Sequence, residues 1–542
     1  MSGPRPALLD EVPNLAKMSF ETKETETNML RSLNNMQKGD IIDIGAEIKA
    51  YNANFMFAGI KIGPQLVYVR PFYDKLLGEI RKISHVVLVG NPGIGKSTFQ
   101  YYYLARILNP KLFGELPPDC FGNTAPPKFV LREVANVLYL YDINRQEAWK
   151  IMNYDHDIFK CFNPEKTLYL VEPRFTKKQP LDSEMVPTLA TVSPDVSRYH
   201  EFVKSGATKL FMPKFKKEEL LAIGKYLRDH DLVPNSLKAD YEDDKISERF
   251  ERFGGIIRHV LPTTEGSKGD SERRQSEAIS TCDVGKLLRQ RANIEMPEFS
   301  HYLLQYEVLI DGDKPFAEFQ MDLASDFVED QLTKQMNESS VYELSRALIQ
   351  NDETGYLNDS IGRIFENWVF KSLTSVKGVK WKKQAARRGE ARRGDDDGSW
   401  EPLELRLSPE EAAAPSYADM KPGVLYYSHN PNYPFADLVF KENDKEGTLV
   451  LIQVTRQREG KKQQVASSAV LLLEKLGLQD SYESVPIKVV LVPGPQQCKY
   501  LTLALLDFDK GEKKADQIAK ENEEGLVTKF AEYEVWAVPK EY

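Results

Sequence analysis

Cysteine is scarce and scattered. The four cysteines, Cys120, Cys161, Cys282 and Cys498, lie far apart in 542 residues, and no Cys-x-x-Cys pair occurs. This excludes a zinc ribbon or a CxxC redox motif and reads as free thiols in a reducing compartment. Long apolar runs are missing too. None approaches the roughly 18 residues that a membrane-spanning helix needs, and Met1–Pro13 lacks the apolar core of a signal peptide. Positive charge is not in excess. The net charge of -9 argues against a broad, undirected nucleic-acid surface and leaves room for a local basic groove. What is present, 41% hydrophobic and 28% charged residues, is ordinary globular composition. The expectation is a soluble, intracellular protein with no membrane partner. At about 150 residues each, the length suits about three domains.

The informative stretch runs from Val86 to Gln100, V-V-L-V-G-N-P-G-I-G-K-S-T-F-Q. A short β-branched run ends at Gly90. Gly90, Gly95, Lys96 and Ser97 then fill the spacing G-x-x-x-x-G-K-[ST]. Each part has a physical purpose. Glycines let backbone N–H groups close round a phosphate with no Cβ in the way. Lysine bridges β- and γ-phosphate oxygens, and the serine hydroxyl is a ligand for Mg²⁺. Thr98–Leu108 reads as a helix whose N-terminal dipole faces the anion. Gly90, Asn91, Pro92, Gly93, Ile94, Gly95, Lys96, Ser97 and Thr98 are therefore the expected nucleotide cradle, for ATP or GTP with Mg²⁺.

Apolar runs of strand length recur at Phe129–Leu131, Val137–Tyr141, Thr167–Val171 and Thr188–Val192. They predict a parallel sheet covered by helices on both faces. Such a site needs an acid at the end of a second strand to hold Mg²⁺ through water. Glu172 and Asp142 both qualify by spacing, and Glu172 is preferred. Pro173 follows Glu172, so the neighbouring acid that would act on water is missing. Ser193, after the next strand, is placed to touch the γ-phosphate or the attacking water. Met212–Tyr226 reads as a turn and an amphipathic helix. Gly254-Gly255-Ile-Ile-Arg258 reads as a tight turn into a helix, with Arg258 able to reach the phosphates from a helical lid.

Taken in order, Val86–Ser97, Thr167–Pro173, Ser193-Pro194 with Tyr199 and Phe202, Met212-Pro213 before Glu218–Leu221, and Phe253–Arg258 resemble the NTPase module of Crinkler-type proteins of oomycetes and fungi. The related retrotransposon-hot-spot proteins of trypanosomes share it. The resemblance covers about residues 65–262. It implies a P-loop NTPase followed by a restriction-endonuclease-like domain. It also implies delivery into a host cell, nuclear entry and host nuclear factors as partners. The Leu-Phe-Leu-Ala-Lys translocation signature of that family is absent from this sequence.

Residues 1–64 read as a weakly structured leader becoming a lobe, and Pro262–Ser276 as a polar loop or linker. Residues 263–353 form a helical connector. The remaining 354–542 carry the second constellation. Ser360–Leu373 is an amphipathic helix bearing Glu366. Asp437 begins an apolar strand. Thr448–Thr455 is a strand ending Gln453-Val-Thr455, followed by a helix (Gln463–Leu476) and a strand (Ile487–Val492). This order resembles the core of PD-(D/E)xK nucleases. The resemblance assigns Asp437 as the main Mg²⁺ ligand, Glu366 as a second acid, Gln453 as the second acidic position and Thr455 as the lysine position. Gln-x-Thr for Glu-x-Lys loses a charge and an amine; Lys461 or Lys462 could return the amine. Arg456, Arg458, Lys461 and Lys462 form a basic cluster where a DNA backbone could run. A charge-rich disordered insertion is expected near 384–415, and Tyr533–Val538 reads as an edge strand. The fold class is thus α/β: a P-loop sheet, a helical connector, and a smaller α/β restriction-endonuclease-like domain.

Overall fold

The structure is a computed structural model. It describes residues 19–53, 65–110, 126–134, 137–152, 156–173, 186–284, 301–335, 358–374, 382–387, 407–410, 413–427, 436–455 and 485–493, with short pieces between and beyond them such as 460–461, 472–473 and 532–537. The chain divides into two compact units, residues 1–281 with 292–328, and residues 282–291 with 329–542.

The first unit is built on an eight-stranded sheet. Its strands are β1 (Ser19–Thr22), β2 (His85–Val89), β3 (Phe129–Val134), β4 (Val137–Asp142), β5 (Glu147–Met152), β6 (Thr167–Glu172), β7 (Thr188–Val192) and β8 (Thr208–Phe211). They lie in the order β1-β5-β4-β3-β6-β7-β2-β8. From β3 to β8 every pairing is parallel. The P-loop strand β2 is apolar after His85, and Val86 to Val89 are fully buried, as expected of a strand covered on both faces. One expectation is corrected here. β4 is antiparallel to β3, because two residues between them permit a hairpin and no crossover. β5 and β1 continue the antiparallel edge.

The polar N-terminal stretch joins this unit. Helix Glu24–Asn35 buries Met29, Leu30 and Leu33 and packs on the helix Lys96–Leu108 that follows the P-loop. That helix is buried from Phe99 to Ile107, all round, as suits an element at the centre of a layered fold. A three-stranded antiparallel sheet (Ile42–Gly45, Ile48–Ala53, Gln65–Val69) lies beside helix Lys217–Asp229. Ile48 shares a core with Leu220, Ile223, Ile246, Phe253 and Val260 from the helices after β8.

Glu265–Ser280, which takes up most of the stretch read as a loop or linker (Pro262–Ser276) and runs past it, is a helix. Thr264 caps it, accepting from the Ser267 N–H at 3.0 Å. Its polar composition concealed it, since it buries little beyond Ser271, Gln275 and Ile279. The connector region also holds a hairpin, Leu304–Val308 with Phe319–Leu323. The hairpin loop satisfies the open edge of the main sheet: Phe211 N–H donates to the Phe316 carbonyl at 2.7 Å.

The second unit holds another eight-stranded sheet. Val424–Tyr427, Leu438–Lys441 and Leu449–Thr455 form an antiparallel meander. Leu449–Thr455 then pairs in parallel with Ile487–Pro493. Helix Asn358–Thr374 packs on this sheet, with the Phe370 and Tyr427 rings 5.2 Å apart. Two expectations are corrected. Glu532–Ala537 is no edge strand; it lies between Lys382–Arg387 and Ile487–Pro493. Strands Lys382–Arg387, Glu401–Pro402 and Ser408–Glu410 fall within or beside the stretch read as a disordered insertion.

Candidate functional site

The P-loop leaves the carboxyl end of β2 and enters its helix at Lys96. Gly93 and Gly95 have positive φ, 85° and 92°, which L side chains adopt poorly. Gly93 also has no room. A Cβ there would lie 2.9 Å from Cβ and 3.4 Å from Nε of Arg258, and 3.2 Å from Ile256. Arg258 thus packs against the P-loop. Its approach depends on Gly254 (φ 65°), where a Cβ would lie 2.1 Å from the Ala324 carbonyl. The tight turn read at Gly254-Gly255 is therefore explained by backbone geometry.

Lys96 Nζ donates to the carbonyls of Gly90 (2.6 Å) and Asn91 (2.9 Å). Its charge is held inside the loop that would present it to phosphate. Ser97 Oγ donates to Glu172 Oε1 at 2.6 Å. Glu172 ends β6 and is 7% exposed. Arg198 braces that strand end, donating to the Pro173 carbonyl at 3.0 Å and to Asp195 Oδ2 at 3.1 Å. Gln100 links the P-loop helix to β6 and β7, through the Val171 carbonyl (3.2 Å) and Thr191 Oγ1 (2.9 Å). Ser193 follows β7, the strand between the P-loop strand and the Glu172 strand, and is half-buried.

The two candidate acids are separated by topology. Glu172 is in register with Val134, the last residue of β3, and Asp142 with Phe129, the first. Because β4 runs antiparallel, Asp142 sits at the far end of the sheet from the P-loop. It accepts from the Arg145 N–H at 3.0 Å and closes the β4–β5 turn.

Asn91 does more than its motif position suggests. Its Nδ2 donates to the Leu304 carbonyl (3.3 Å), and its Oδ1 accepts from Tyr306 N–H (3.0 Å). The P-loop is thereby fixed to a strand more than 200 residues away. His301, which sequence reasoning missed, lies just before this clamped strand and stacks on His259, the neighbour of Arg258, with ring centroids 5.7 Å apart. Arg258, Lys96 and Arg274 all act electrostatically on His301. The helix carrying Arg274 had been read as a linker, and a lone histidine carries no motif.

In the second unit, Asp437 and Gln453 face each other across adjacent strands. Gln453 Nε2 and Val454 N–H both donate to Asp437 Oδ2, each at 2.6 Å. Asp437 N–H donates to the Ile452 carbonyl at 2.9 Å. Glu366 is half-buried on its helix. Among the described residues, no three His, Cys, Asp or Glu side chains are grouped to hold a metal. The side chains of Thr455 and Lys461, and residues Arg456, Arg458 and Lys462, lie outside the described residues. Among the described residues no helix is long and apolar enough to cross a membrane.

No protein-family profile and no curated protein matches the chain. Among solved structures, the RuvB Holliday junction branch migration motor of Thermotoga maritima is similar at 11% identity, over 59% of this chain and 90% of that one, with a TM-score of 0.21. Hsp104, in a closed state with ATPγS and FITC casein, is similar at 11% identity, over 56% of this chain and 50% of that one, with a TM-score of 0.23. These values are low. The P-loop NTPase fold of the first unit stands on its motif, its strand order and the Ser97–Glu172 contact.

Proposed function

We propose that the first unit binds and hydrolyses a nucleoside triphosphate with Mg²⁺, and that the second unit binds DNA and cuts it in a metal-dependent reaction that the nucleotide controls. The observation that carries the first part is the Ser97–Glu172 contact beside Lys96. A hydroxyl and a carboxylate 2.6 Å apart suit a small hard cation that takes its other ligands from phosphate and water. Bound Mg²⁺ would neutralise phosphate charge. Lys96 would leave the Gly90 and Asn91 carbonyls for phosphate oxygens. Arg258 would stabilise charge from the lid, and Ser193 would meet the γ-phosphate or the attacking water. With Pro173 after Glu172, no adjacent acid positions the water, so turnover should be slow. ATP and GTP are both consistent with the cradle.

The second part rests on the cross-strand pair Asp437–Gln453, in a helix, meander, parallel-strand order similar to PD-(D/E)xK cores; the helix read at Gln463–Leu476 lies largely outside the described residues. One carboxylate and one amide carbonyl can hold a hard cation once the Gln453 amide turns its oxygen inward. Glu366, Thr455 and Lys461 are the further residues of that site, and the basic run Arg456–Lys462 is the DNA-facing segment. The resemblance to Crinkler-type effectors extends this to a protein working in a host cell nucleus.

A second reading has its own support. In the structure, Gln453 presents its amide nitrogen to Asp437. That hydrogen bond occupies the carboxylate and suits a domain that binds DNA without cutting it, switched by nucleotide. Supercoiled and linear DNA incubated with Mg²⁺, with and without ATP, separates the two. Cleavage by the native protein that is lost in Asp437→Asn supports the nuclease. DNA binding with no cleavage supports the switch.

A further inference from the structure

The P-loop is tied to a hairpin that leads out of the first unit. Asn91 is 1% exposed and is bonded through both its backbone and its side chain. Its carbonyl accepts from Lys96 Nζ at 2.9 Å. Its Nδ2 donates to the Leu304 carbonyl at 3.3 Å, and its Oδ1 accepts from Tyr306 N–H at 3.0 Å. Gln305, the residue between, turns to the lid: its Nε2 donates to the Phe253 carbonyl at 2.7 Å. Consecutive residues of strand Leu304–Val308 thus hold both the cradle and the base of the lid turn.

The second strand of the hairpin continues the chain of bonds. Leu323 pairs with Leu304, and Ala324 N–H donates to the Leu303 carbonyl at 2.8 Å. The next residue, Ser325, caps helix Asp326–Gln335. Its Oγ accepts from Val328 N–H at 3.3 Å and donates to the Arg252 carbonyl at 2.7 Å. Arg252 lies in the last turn of helix Asp243–Phe253, and its guanidinium is 5.0 Å from the centre of the Phe327 ring. The two segments meet without slack. A Cβ on Gly254 would lie 2.1 Å from the Ala324 carbonyl and 2.5 Å from Gln305 Oε1. Helix Asp326–Gln335 belongs to the first unit as far as Val328 and to the second from Glu329.

We propose that Asn91, Gln305 and Ser325 form a relay that carries the nucleotide state of the P-loop to helix Asp326–Gln335, and along that helix into the second unit. The driving change is at Lys96. Phosphate oxygens compete with the Asn91 carbonyl for its ammonium group, so binding takes a charged donor from that peptide. A ligand shifts a structure only through contacts that differ between its states, and this contact differs. Asn91 is buried, and a close-packed interior transmits strain. Its side chain moves the strand, Gln305 and Gly254 move with it, and Ser325 resets the first turn of the helix. The proposal rests on the nucleotide-binding reading and gives control of the second unit a route through named bonds.

Hydrogen exchange of the full chain with and without Mg·ATPγS, alongside calorimetric binding, tests it. In the native protein, peptides covering 304–308 and 326–335 should both change exchange rate on binding, by at least about threefold. Ser325→Asp keeps an acceptor for Val328 N–H and loses the donor to the Arg252 carbonyl. It should bind within about threefold of native, respond at 304–308 and fail to respond at 326–335. Gln305→Met, which removes the bond to Phe253 alone, should give the same split. Ser325→Thr keeps both bonds and should respond as the native chain does, which separates a relay from a merely structural cap. Native binding with no change at 326–335, or an unchanged response there in Ser325→Asp or in Gln305→Met, would overturn the proposal while leaving nucleotide binding intact. No binding by the native chain would overturn both.

Discussion

The hydroxyl of Ser97 donates to Glu172 Oε1 across 2.6 Å, joining the first turn of the P-loop helix to the end of a strand that is not its neighbour. β7 lies between their strands. The contact therefore depends on the whole parallel core being in register. Glu172→Gln keeps the shape and removes the charge. It should leave nucleotide affinity within about threefold and lower Mg²⁺-dependent hydrolysis at least about tenfold, since one carboxylate stabilises the metal-phosphate assembly. Asp142→Asn should leave hydrolysis unchanged. A phosphate-release assay on both variants checks the assignment, and equal losses would refute it.

Gly93→Ala places a Cβ 2.9 Å from Arg258 at a φ of 85°. The lid turn must move away or the loop must reshape. Nucleotide binding should fall at least about tenfold, and stability should drop by about 1–2 kcal/mol from the strained backbone. Thermal melts with and without nucleotide separate the two effects. A variant that binds normally would show that the lid arginine does not need its present approach.

The pair Arg70–Glu219 is bidentate, with contacts of 2.7 and 3.0 Å, and both side chains are buried. Arg70 also donates to the Pro213 carbonyl at 2.6 Å, and Glu219 accepts from Lys216 N–H at 2.7 Å. Removing one partner strands the other charge. Glu219→Ala should cost about 3–5 kcal/mol, read as a large fall in the denaturation midpoint. A shift under about 1 kcal/mol, the scale of an exposed pair, would contradict this account.

Acid should weaken the first unit before most carboxylates titrate. Burial, with nearby positive charge, lowers the pKa of His259 to about 3 and of His301 to about 4. Both folded values lie below the unfolded value near 6.5. The unfolded chain therefore binds more protons between about pH 6.5 and pH 4, and stability falls as pH falls through that window. The combined loss should be a few kcal/mol, about 1.4 kcal/mol for each unit of difference. Urea midpoints at pH 7.5 and 5 measure it, and His301→Gln should reduce the slope. Equal midpoints in the native protein would contradict the burial of both rings.

The P-loop was legible because its chemistry is local: spacing, glycines and the strand before it sit within fifteen residues. Glu172 was legible as one of two acids, but only strand direction separates it from Asp142, and direction is set by a two-residue connection that periodicity does not report. Helix Glu265–Ser280 was hidden because its buried face is small and polar, so it lacks an apolar stripe. The surroundings of His301 were hidden for a related reason: the Asn91 clamp that holds the strand after it joins residues more than 200 apart. Asp437 and Gln453 were legible as a pair because alternation and a hairpin register bring them opposite each other, Leu438 pairing with Ile452.

The most direct test of the central claim is calorimetric binding of ATP and GTP, with Mg²⁺, to the native chain and to Lys96→Ala. The account predicts that the native protein binds at least one of them and that the variant loses binding at least about a hundredfold, because Lys96 supplies the charge that meets the phosphates. Equal affinity in the two proteins would contradict it, for the P-loop would then not be the place where nucleotide binds.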